Sequence, residues 1–155
     1  SDGAAHYLYG SSVGIHGTTA VIGSINKIVG GYSNVGGAYV ANKMGSSWAE
    51  TQVLQHSDLA YNDQFGSSVG IYGDKILISA QAKTYGSSLY SGKAYVFTKT
   101  NGIYNETTSL EASDRFEYDY FGFSGSIHDG QIMIGAPFKY HGSFISGKIY
   151  FYQQP

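Results

Sequence analysis

Two copies of a serine motif have the spacing of a hydrolase nucleophile. Residues 10–14 and 66–70 both read GSSVG and match Gly-x-Ser-x-Gly. In hydrolases this motif forms a strained turn between a strand and a helix, and the turn exposes the serine. Here the motif lies inside a predicted strand, no helical pattern follows, and no acid–base set accompanies it. We therefore interpret Ser12 and Ser68 as small residues at strand contacts and predict that the protein is not an enzyme.

An acidic segment offers a second kind of chemistry. Asp114, Glu117 and Asp119 supply the carboxylate oxygens that Ca²⁺ prefers. A short Asp side chain can also cap backbone N–H groups in a turn. The position of Asp119 is acidic in the second copy of the repeat described below, but Tyr7 takes that place in the first. We expect a turn without metal or cofactor, and a cation site at these three residues is the alternative.

These residues belong to a sequence that repeats itself. SDGAAHYLYGSSVGI, SDLAYNDQFGSSVGI and SDRFEYDYFGFSGSI begin at positions 1, 57 and 113, which are 56 residues apart. Self-similarity at a fixed period is typical of solenoids and propellers. The repeats are placed at residues 1–56, 57–112 and 113–155 of a single segment, 1–155.

Each repeat contains the same order of short predicted strands. The first strand ends in a two-residue turn, and the second is a nearly continuous apolar run. A polar loop of about a dozen residues leads to a third strand, such as SGKAYVFTK. A fourth strand follows twice, as SSWAETQVL and IYNETTSL, but not in the last copy. The turns are placed at His16-Gly17, Gly73-Asp74 and Asp129-Gly130.

This organisation predicts an all-β fold built from β-propeller blades. Four short antiparallel strands at such a period are typical of a blade. We therefore expect three four-stranded antiparallel repeats of about 56 residues, the last lacking its outer strand, with Phe65 and Phe121 buried at equivalent places and Tyr9 at the same place in its copy.

The same residues resemble the FG-GAP repeat family in its bacterial-type form. Its FG appears as Phe65-Gly66 and Phe121-Gly122, with Tyr9-Gly10 as a conservative departure. Its GAP appears as Gly135-Ala136-Pro137, and its Gly-x-x-Tyr-Val-Phe ending appears at residues 92–97. The resemblance implies a β-propeller, as in integrin α-subunit heads and many secreted bacterial proteins.

Calcium binding is not carried over from the family. Some members bind calcium in an Asp-rich loop between the first two strands. In this sequence those hairpins are only a few residues long and contain no Asp-x-Asp-x-Asp-Gly pattern. We expect no metal in them.

Four loop tyrosines are the candidate binding residues. Tyrosine set among Ser, Gly and Asn provides contact area at low entropic cost, and simple solvated loop tyrosines are the alternative. Asn105-Glu106-Thr107 is in addition an N-glycosylation sequon on a predicted outer strand. The candidate tyrosines are Tyr32, Tyr85, Tyr90 and Tyr140.

Composition narrows the possible partners. The net charge is −2, there is no cysteine, and no run of Lys or Arg favours nucleic acid. No apolar run approaches the roughly 18 residues of a membrane span. We predict an extracellular or cell-surface module for adhesion or protein–protein interaction, and a lectin that uses the loop tyrosines is the alternative.

The three predicted blades are too few to close a propeller ring. Propellers close with about four to eight blades. We expect further blades from a longer parent chain, a cleaved fragment or a second copy, besides a protein ligand or a glycan.

Overall fold

The computed structural model describes residues 7–153, and these residues contain strands and turns but no helix. Each of the first two blades has four strands, and the third has three. Blade 1 consists of β1 (Tyr9–His16), β2 (Thr19–Ser24), β3 (Gly37–Met44) and β4 (Ser47–Leu54). Blade 2 consists of β5 (Phe65–Tyr72), β6 (Lys75–Ala80), β7 (Lys93–Thr100) and β8 (Ile103–Leu110). Blade 3 consists of β9 (Ser124–His128), β10 (Gln131–Ala136) and β13 (Lys148–Gln153), with a small hairpin, β11 (Tyr140–His141) and β12 (Phe144–Ile145), inserted between β10 and β13.

The sheets have the topology that the repeat predicts. Strands in blades 1 and 2 pair in sequence order, β1-β2-β3-β4 and β5-β6-β7-β8, and every pair is antiparallel. Blade 3 is ordered β9-β10-β13. The second strand is central in each sheet, and in blades 1 and 2 it is also largely buried on both faces, which explains its nearly continuous apolar sequence, whereas Gln131 and Met133 of β10 are exposed. The all-β blade architecture is thus confirmed, and the three sheets form an open arc.

The first hairpin turn lies one residue later than predicted. β1 ends at His16 and β2 begins at Thr19, so the turn is Gly17-Thr18. Gly17 has a φ of +58° and its counterpart Gly73 a φ of +59°. The left-handed position falls on the same residue of each repeat, a glycine in the first two, which adopts it without steric strain, and Asp129 with a φ of +46° in the third.

The polar loops contain structure that the sequence did not predict. In blade 3 the loop folds into the β11–β12 hairpin, and in blades 1 and 2 single antiparallel bridges, Val29 to Tyr32 and Tyr85 to Ser88, close similar turns. Ladders of one or two residues are too short to show an alternating pattern. The loops are therefore compact projections from one end of each blade.

Each junction between blades is centred on a phenylalanine. Phe65 and Phe121 are both fully buried. Phe121 forms a parallel bridge with Gly92 of the preceding blade, where an added Cβ would lie 2.0 Å from the Phe121 carbonyl oxygen. Only glycine permits this approach.

Tyr9 occupies the place predicted for it but is not buried there. It pairs with Ser24 in the register in which Phe65 pairs with Ala80. It is nevertheless 42% exposed, because the described residues place no blade in front of β1. Its ring packs edge-on against Tyr39 at 5.1 Å.

Candidate binding surface

Two loops meet at the same end of each junction. One precedes the first strand of a blade, and the other joins the second and third strands of the blade before it. At the 2/3 junction, the junction between blades 2 and 3, backbone hydrogen bonds join these loops. Tyr118 N–H donates to the Leu89 carbonyl at 2.7 Å, and Tyr120 N–H donates to the Tyr90 carbonyl at 3.1 Å. The inter-blade loop is therefore held by main-chain contacts.

A buried lysine organises the loop that enters blade 3. Lys139 Nζ lies 2.8 Å from Asp119 Oδ2 and also contacts the Asp114 carbonyl. Asp119 accepts a second hydrogen bond from Phe116 N–H at 2.7 Å. Two aspartates and a lysine thereby fix the turn that presents the aromatic residues of this loop.

The Asp114 carboxylate is held by β13. Tyr150 Oη donates to it at 2.7 Å and Lys148 Nζ at 2.9 Å. The hydrogen bond from Tyr150, followed by that from Lys148, lowers the pKa of Asp114 to about 2. Asp114 is therefore ionised across the physiological range.

The 1/2 junction, between blades 1 and 2, repeats this network. Lys83 Nζ lies 2.9 Å from Asp63 Oδ2, and Asp58 accepts from Tyr95 Oη at 2.6 Å and Lys93 Nζ at 3.0 Å. Burial opposes ionisation of Asp58, but the hydrogen bonds outweigh it and hold its pKa well below the usual range. Burial raises the pKa of Asp63.

One member of the network is confined to the 1/2 junction. His56 is buried, and its Nδ1 lies 3.0 Å from Asp58 Oδ1. Its ring packs against Phe65 and Tyr95, both at 4.9 Å between centroids. Burial, assisted by the charges of Lys83 and Lys93, lowers the pKa of His56 to about 4. The corresponding residue at the 2/3 junction is Ala112, at the end of the second repeat.

The aspartates of the alternative cation site face a lysine. Asp119 binds Lys139, and Asp114 Oδ2 lies 3.8 Å from the same ammonium group. Glu117 is exposed on the loop. Within residues 7–153 no group of three or more His, Asp or Glu side chains has an arrangement that could hold a metal ion.

Aromatic rings cover the loop end of the 2/3 junction. Tyr90 packs against Tyr118 at 5.7 Å and against Tyr120 at 5.8 Å, and Tyr120 meets Phe138 edge-on at 5.4 Å. Beside them lies a cleft of about 480 Å³, which we call the aromatic cleft. It is lined by Tyr118, Tyr120, Phe123, Phe138, Tyr140, Ile145 and Gln81.

Three of these tyrosines have a left-handed backbone. The φ angles are 50° at Tyr90, 61° at Tyr118 and 51° at Tyr120. A bulky residue in this region is uncommon and strained, and such outliers concentrate at functional sites. Bulky aromatic side chains therefore occupy positions where the backbone disfavours them.

Sequence comparison assigns the family. Residues 48–97 and 104–152 match the FG-GAP repeat. The chain belongs to the FG-GAP repeat family. Each match runs from the outer strand of one blade through the three inner strands of the next, so the family unit is offset from the repeats at 1–56 and 57–112. No curated protein shows significant similarity to the chain.

Proteins of the FG-GAP family share a fold, a general kind of function and a typical location. The repeats form β-propeller-like interaction modules, the family is generally non-enzymatic, and its repeats typically occur in extracellular domains. Among residues 7–153 no helix is long and apolar enough to cross a membrane.

The four loop tyrosines predicted from the sequence lie in different surroundings. In this FG-GAP chain Tyr90 packs against Tyr118 beside the aromatic cleft, whereas Tyr140 lines the cleft and is 50% exposed. Tyr85 lies under the Arg115 guanidinium, 3.9 Å from its ring centre, and Tyr32 is in the small turn of blade 1. Asn105 is exposed on β8, and its glycosylation stays a prediction.

Sequence reasoning missed most of the cleft. A signal was present, because the preceding repeat has small or polar residues at the same positions. Tyr118 corresponds to Asn62, and Tyr120 corresponds to Gln64. The other missed residues are Phe123, Phe138 and Ile145, of which the first two correspond to Ser67 and Ala82.

The serines of the two GSSVG motifs contact the next FG-GAP blade. Ser12 Oγ donates to the Gly66 carbonyl at 2.7 Å, and Gly125 N–H donates to Ser68 Oγ at 3.0 Å. Both side chains thus make hydrogen bonds across a junction, which agrees with a packing role.

Proposed function

We propose that this FG-GAP chain is an extracellular or cell-surface adhesion module that binds a protein partner through the aromatic cleft. The observation that carries the proposal is the strained backbone of Tyr118 and its neighbours beside a largely apolar cleft. The 1/2 junction has asparagine and glutamine at these positions with the same backbone. The fold therefore does not require the tyrosines.

The cleft has the character of a contact surface. Tyr118, Phe123 and Phe138 are 44%, 49% and 42% exposed and lie close together. Rigid aromatic side chains dominate the energetics of protein interfaces. Contiguous exposed apolar patches on soluble proteins mark interaction sites. A protein partner that covers these rings would bury them as an anchor.

A glycan is the second candidate ligand. Tyrosine rings can stack on sugar rings, and their hydroxyl groups can reach sugar hydroxyls. The lining of the cleft, however, contains no charged side chain, and its polar groups are three tyrosine hydroxyls and the Gln81 amide beside the apolar Phe123, Phe138 and Ile145. This predominantly aromatic and apolar lining favours a protein partner.

The test compares protein and glycan binding on matched variants. A phage-displayed library of protein fragments and a glycan array are probed with the wild-type chain and with Tyr118→Asn/Tyr120→Gln. The control is Tyr61→Asn, which removes a 66%-exposed tyrosine from the other inter-blade loop. Protein binders that are lost only in the double variant support the proposal. Binding to glycans alone would establish the lectin function instead.

The flanks of the arc support further blades as additional partners. Leu77, on the face of blade 2 that packs against blade 3, is 1% exposed, whereas its counterpart Met133 on blade 3 is 47% exposed. Val69, on the face of blade 2 that packs against blade 1, is 8% exposed, whereas its counterpart Val13 on blade 1 is 71% exposed. Both faces are apolar surfaces of the kind that the internal junctions bury. We propose that blades from a parent chain, a cleaved fragment or a second copy cover them.

Light scattering on the 155-residue chain tests the flank proposal. We expect concentration-dependent association that Met133→Asp weakens. Ile103→Asp changes a 55%-exposed residue of the outer strand β8 and serves as the control. A stable monomer at high concentration, with no bound partner, would show that the flanks need no cover.

A further inference from the structure

The aromatic cleft adjoins a depression with a different charge. Tyr140 lines both, and the depression is also lined by Asp114, Glu117 and Lys139. Lys139 is neutralised by Asp119 at 2.8 Å, and the Asp114 carboxylate is held by Tyr150 and Lys148. Within residues 7–153 no ion pair is found for the exposed Glu117. A partner that crosses Tyr140 thus passes from an apolar cleft to an uncompensated carboxylate.

The polar atoms of the cleft are hydroxyl groups that can donate. In the described part of the chain no hydrogen bond is found for the hydroxyls of Tyr118, Tyr120 and Tyr140. A polyproline II segment presents carbonyl oxygens that have no internal hydrogen bonds. Its proline rings are compact and apolar, its backbone is already ordered, and aromatic-lined grooves recognise such segments in several domain families. The hydroxyl donors and the exposed ring faces match both features of this ligand.

We propose that the aromatic cleft binds an extended, proline-containing segment of a partner protein, with a lysine or arginine of that segment placed against Glu117. The inference rests on the proposed protein-binding function and names the chemistry of its partner. Proline rings contact the faces of Tyr118, Tyr120 and Phe138, and tyrosine hydroxyls donate to the segment's carbonyl oxygens. The basic residue lies beyond Tyr140 and fixes the direction of the segment.

The experiment uses a synthetic peptide array with two independent variables. One is proline against alanine at the central positions, and the other is arginine against glutamine at either end. The array is probed with the wild-type chain, Tyr118→Asn/Tyr120→Gln and Glu117→Gln. The control is Asp74→Asn, an exposed acid in the turn at the opposite end of blade 2.

We expect wild-type binding to require both proline and one terminal arginine. Glu117→Gln should weaken binding of the arginine peptides about 3–10-fold and reduce their salt dependence, because it removes an exposed charge pair. Asp74→Asn should bind as the wild type does. The double tyrosine variant should lose binding to every peptide.

Two outcomes would overturn the inference, and they differ in what they leave standing. Suppose that peptide binding does not depend on proline or arginine but is lost in the double tyrosine variant. This result would refute the partner chemistry and still support the cleft as a protein-binding surface. The absence of binding to any peptide on the array would also refute the partner chemistry. In that case the fragment library and glycan array decide the proposed function separately.

Discussion

The 1/2 and 2/3 junctions have the same backbone and different loop surfaces. Asn34, Asn62 and Gln64 have φ angles of 54°, 63° and 56°, close to the values at the three tyrosines that replace them. In the 1/2 junction these polar residues bond to one another or to neighbours, as Gln81 does to Gln64 at 2.9 Å. In the 2/3 junction rings stack and leave a cleft. The backbone is therefore a property of the repeat, and the surface is a property of the individual junction.

The buried charged networks of the two junctions differ at His56. Asp58, Asp63, Lys83 and Tyr95 in the 1/2 junction have counterparts that make the same hydrogen bonds in blade 3. His56 has no ionisable counterpart. Changes at shared positions should therefore act alike in both junctions, and changes at unshared positions should separate them.

The largest expected effect is shared by both junctions. Phe65→Ala and Phe121→Ala should each lower the free energy of unfolding by about 3–5 kcal/mol, because each removes a fully buried ring. Denaturant unfolding measures both. The control, Phe144→Ala, truncates a 77%-exposed ring and should cost less than about 0.5 kcal/mol. A cost below about 1 kcal/mol at only one of the two buried positions would show that the junctions do not share a core.

The next effect belongs to the 1/2 junction alone. The pKa of folded His56 is about 4, below its ordinary value of 6.5. As the pH falls from 6.5 to 4, His56 therefore binds a proton in the unfolded chain but stays largely neutral in the folded chain. Stability should fall by about 3 kcal/mol over this range. Urea midpoints measured against pH test the slope.

Replacing the histidine separates its charge from its packing. His56→Ala gives the 1/2 junction the residue found at the 2/3 junction, Ala112. It should lower stability at pH 7 through lost ring contacts, but flatten the slope between pH 6.5 and 4. His141→Ala, at an exposed position in the β11–β12 hairpin, should leave the slope unchanged. An unaltered slope in the His56 variant would assign the acid sensitivity to other groups.

A smaller effect exchanges loop residues between the junctions. Asn62→Tyr should destabilise the chain by about 1 kcal/mol, because it adds left-handed strain without the neighbouring rings of blade 3. Tyr118→Asn should not destabilise it, since relief of strain offsets the ring contact with Tyr90. Thermal unfolding compares the two variants. A loss above about 1 kcal/mol for Tyr118→Asn would mean that the tyrosine serves the fold.

The sequence predicted what the repeats have in common. The period, the strand order and the burial of Phe65 and Phe121 follow from identical patterns in successive copies. Exposure at Tyr9 was not predictable in this way, because burial there depends on a neighbouring blade.

The sequence did not predict where the surface is specialised. Tyr118 and Tyr120 stand in one short segment, but their distances to Tyr90 and Phe138 depend on how two blades pack. The loop hairpins were missed for a related reason, since one or two paired residues carry no periodic signal. A comparison of the copies position by position would have exposed the exchange of Asn62 for Tyr118.

The smallest expected effect tests a contact at the edge of the aromatic surface. The Arg115 guanidinium lies over the ring of Tyr85 and also pairs with Glu111, whereas the corresponding residues at the 1/2 junction are Leu59 and Val29. Arg115→Leu should lower stability by less than about 1 kcal/mol, because exposed cation–π and ion pairs are weak. Arg115→Lys keeps the charge near Glu111 but loses the planar stacking, so it reports the ring contact alone. The opposite result would be an Arg115→Lys variant as stable as the wild type and an Arg115→Leu variant whose loss of stability vanishes at high salt. In that case the ion pair with Glu111 stabilises the contact, and the ring of Tyr85 contributes nothing to it.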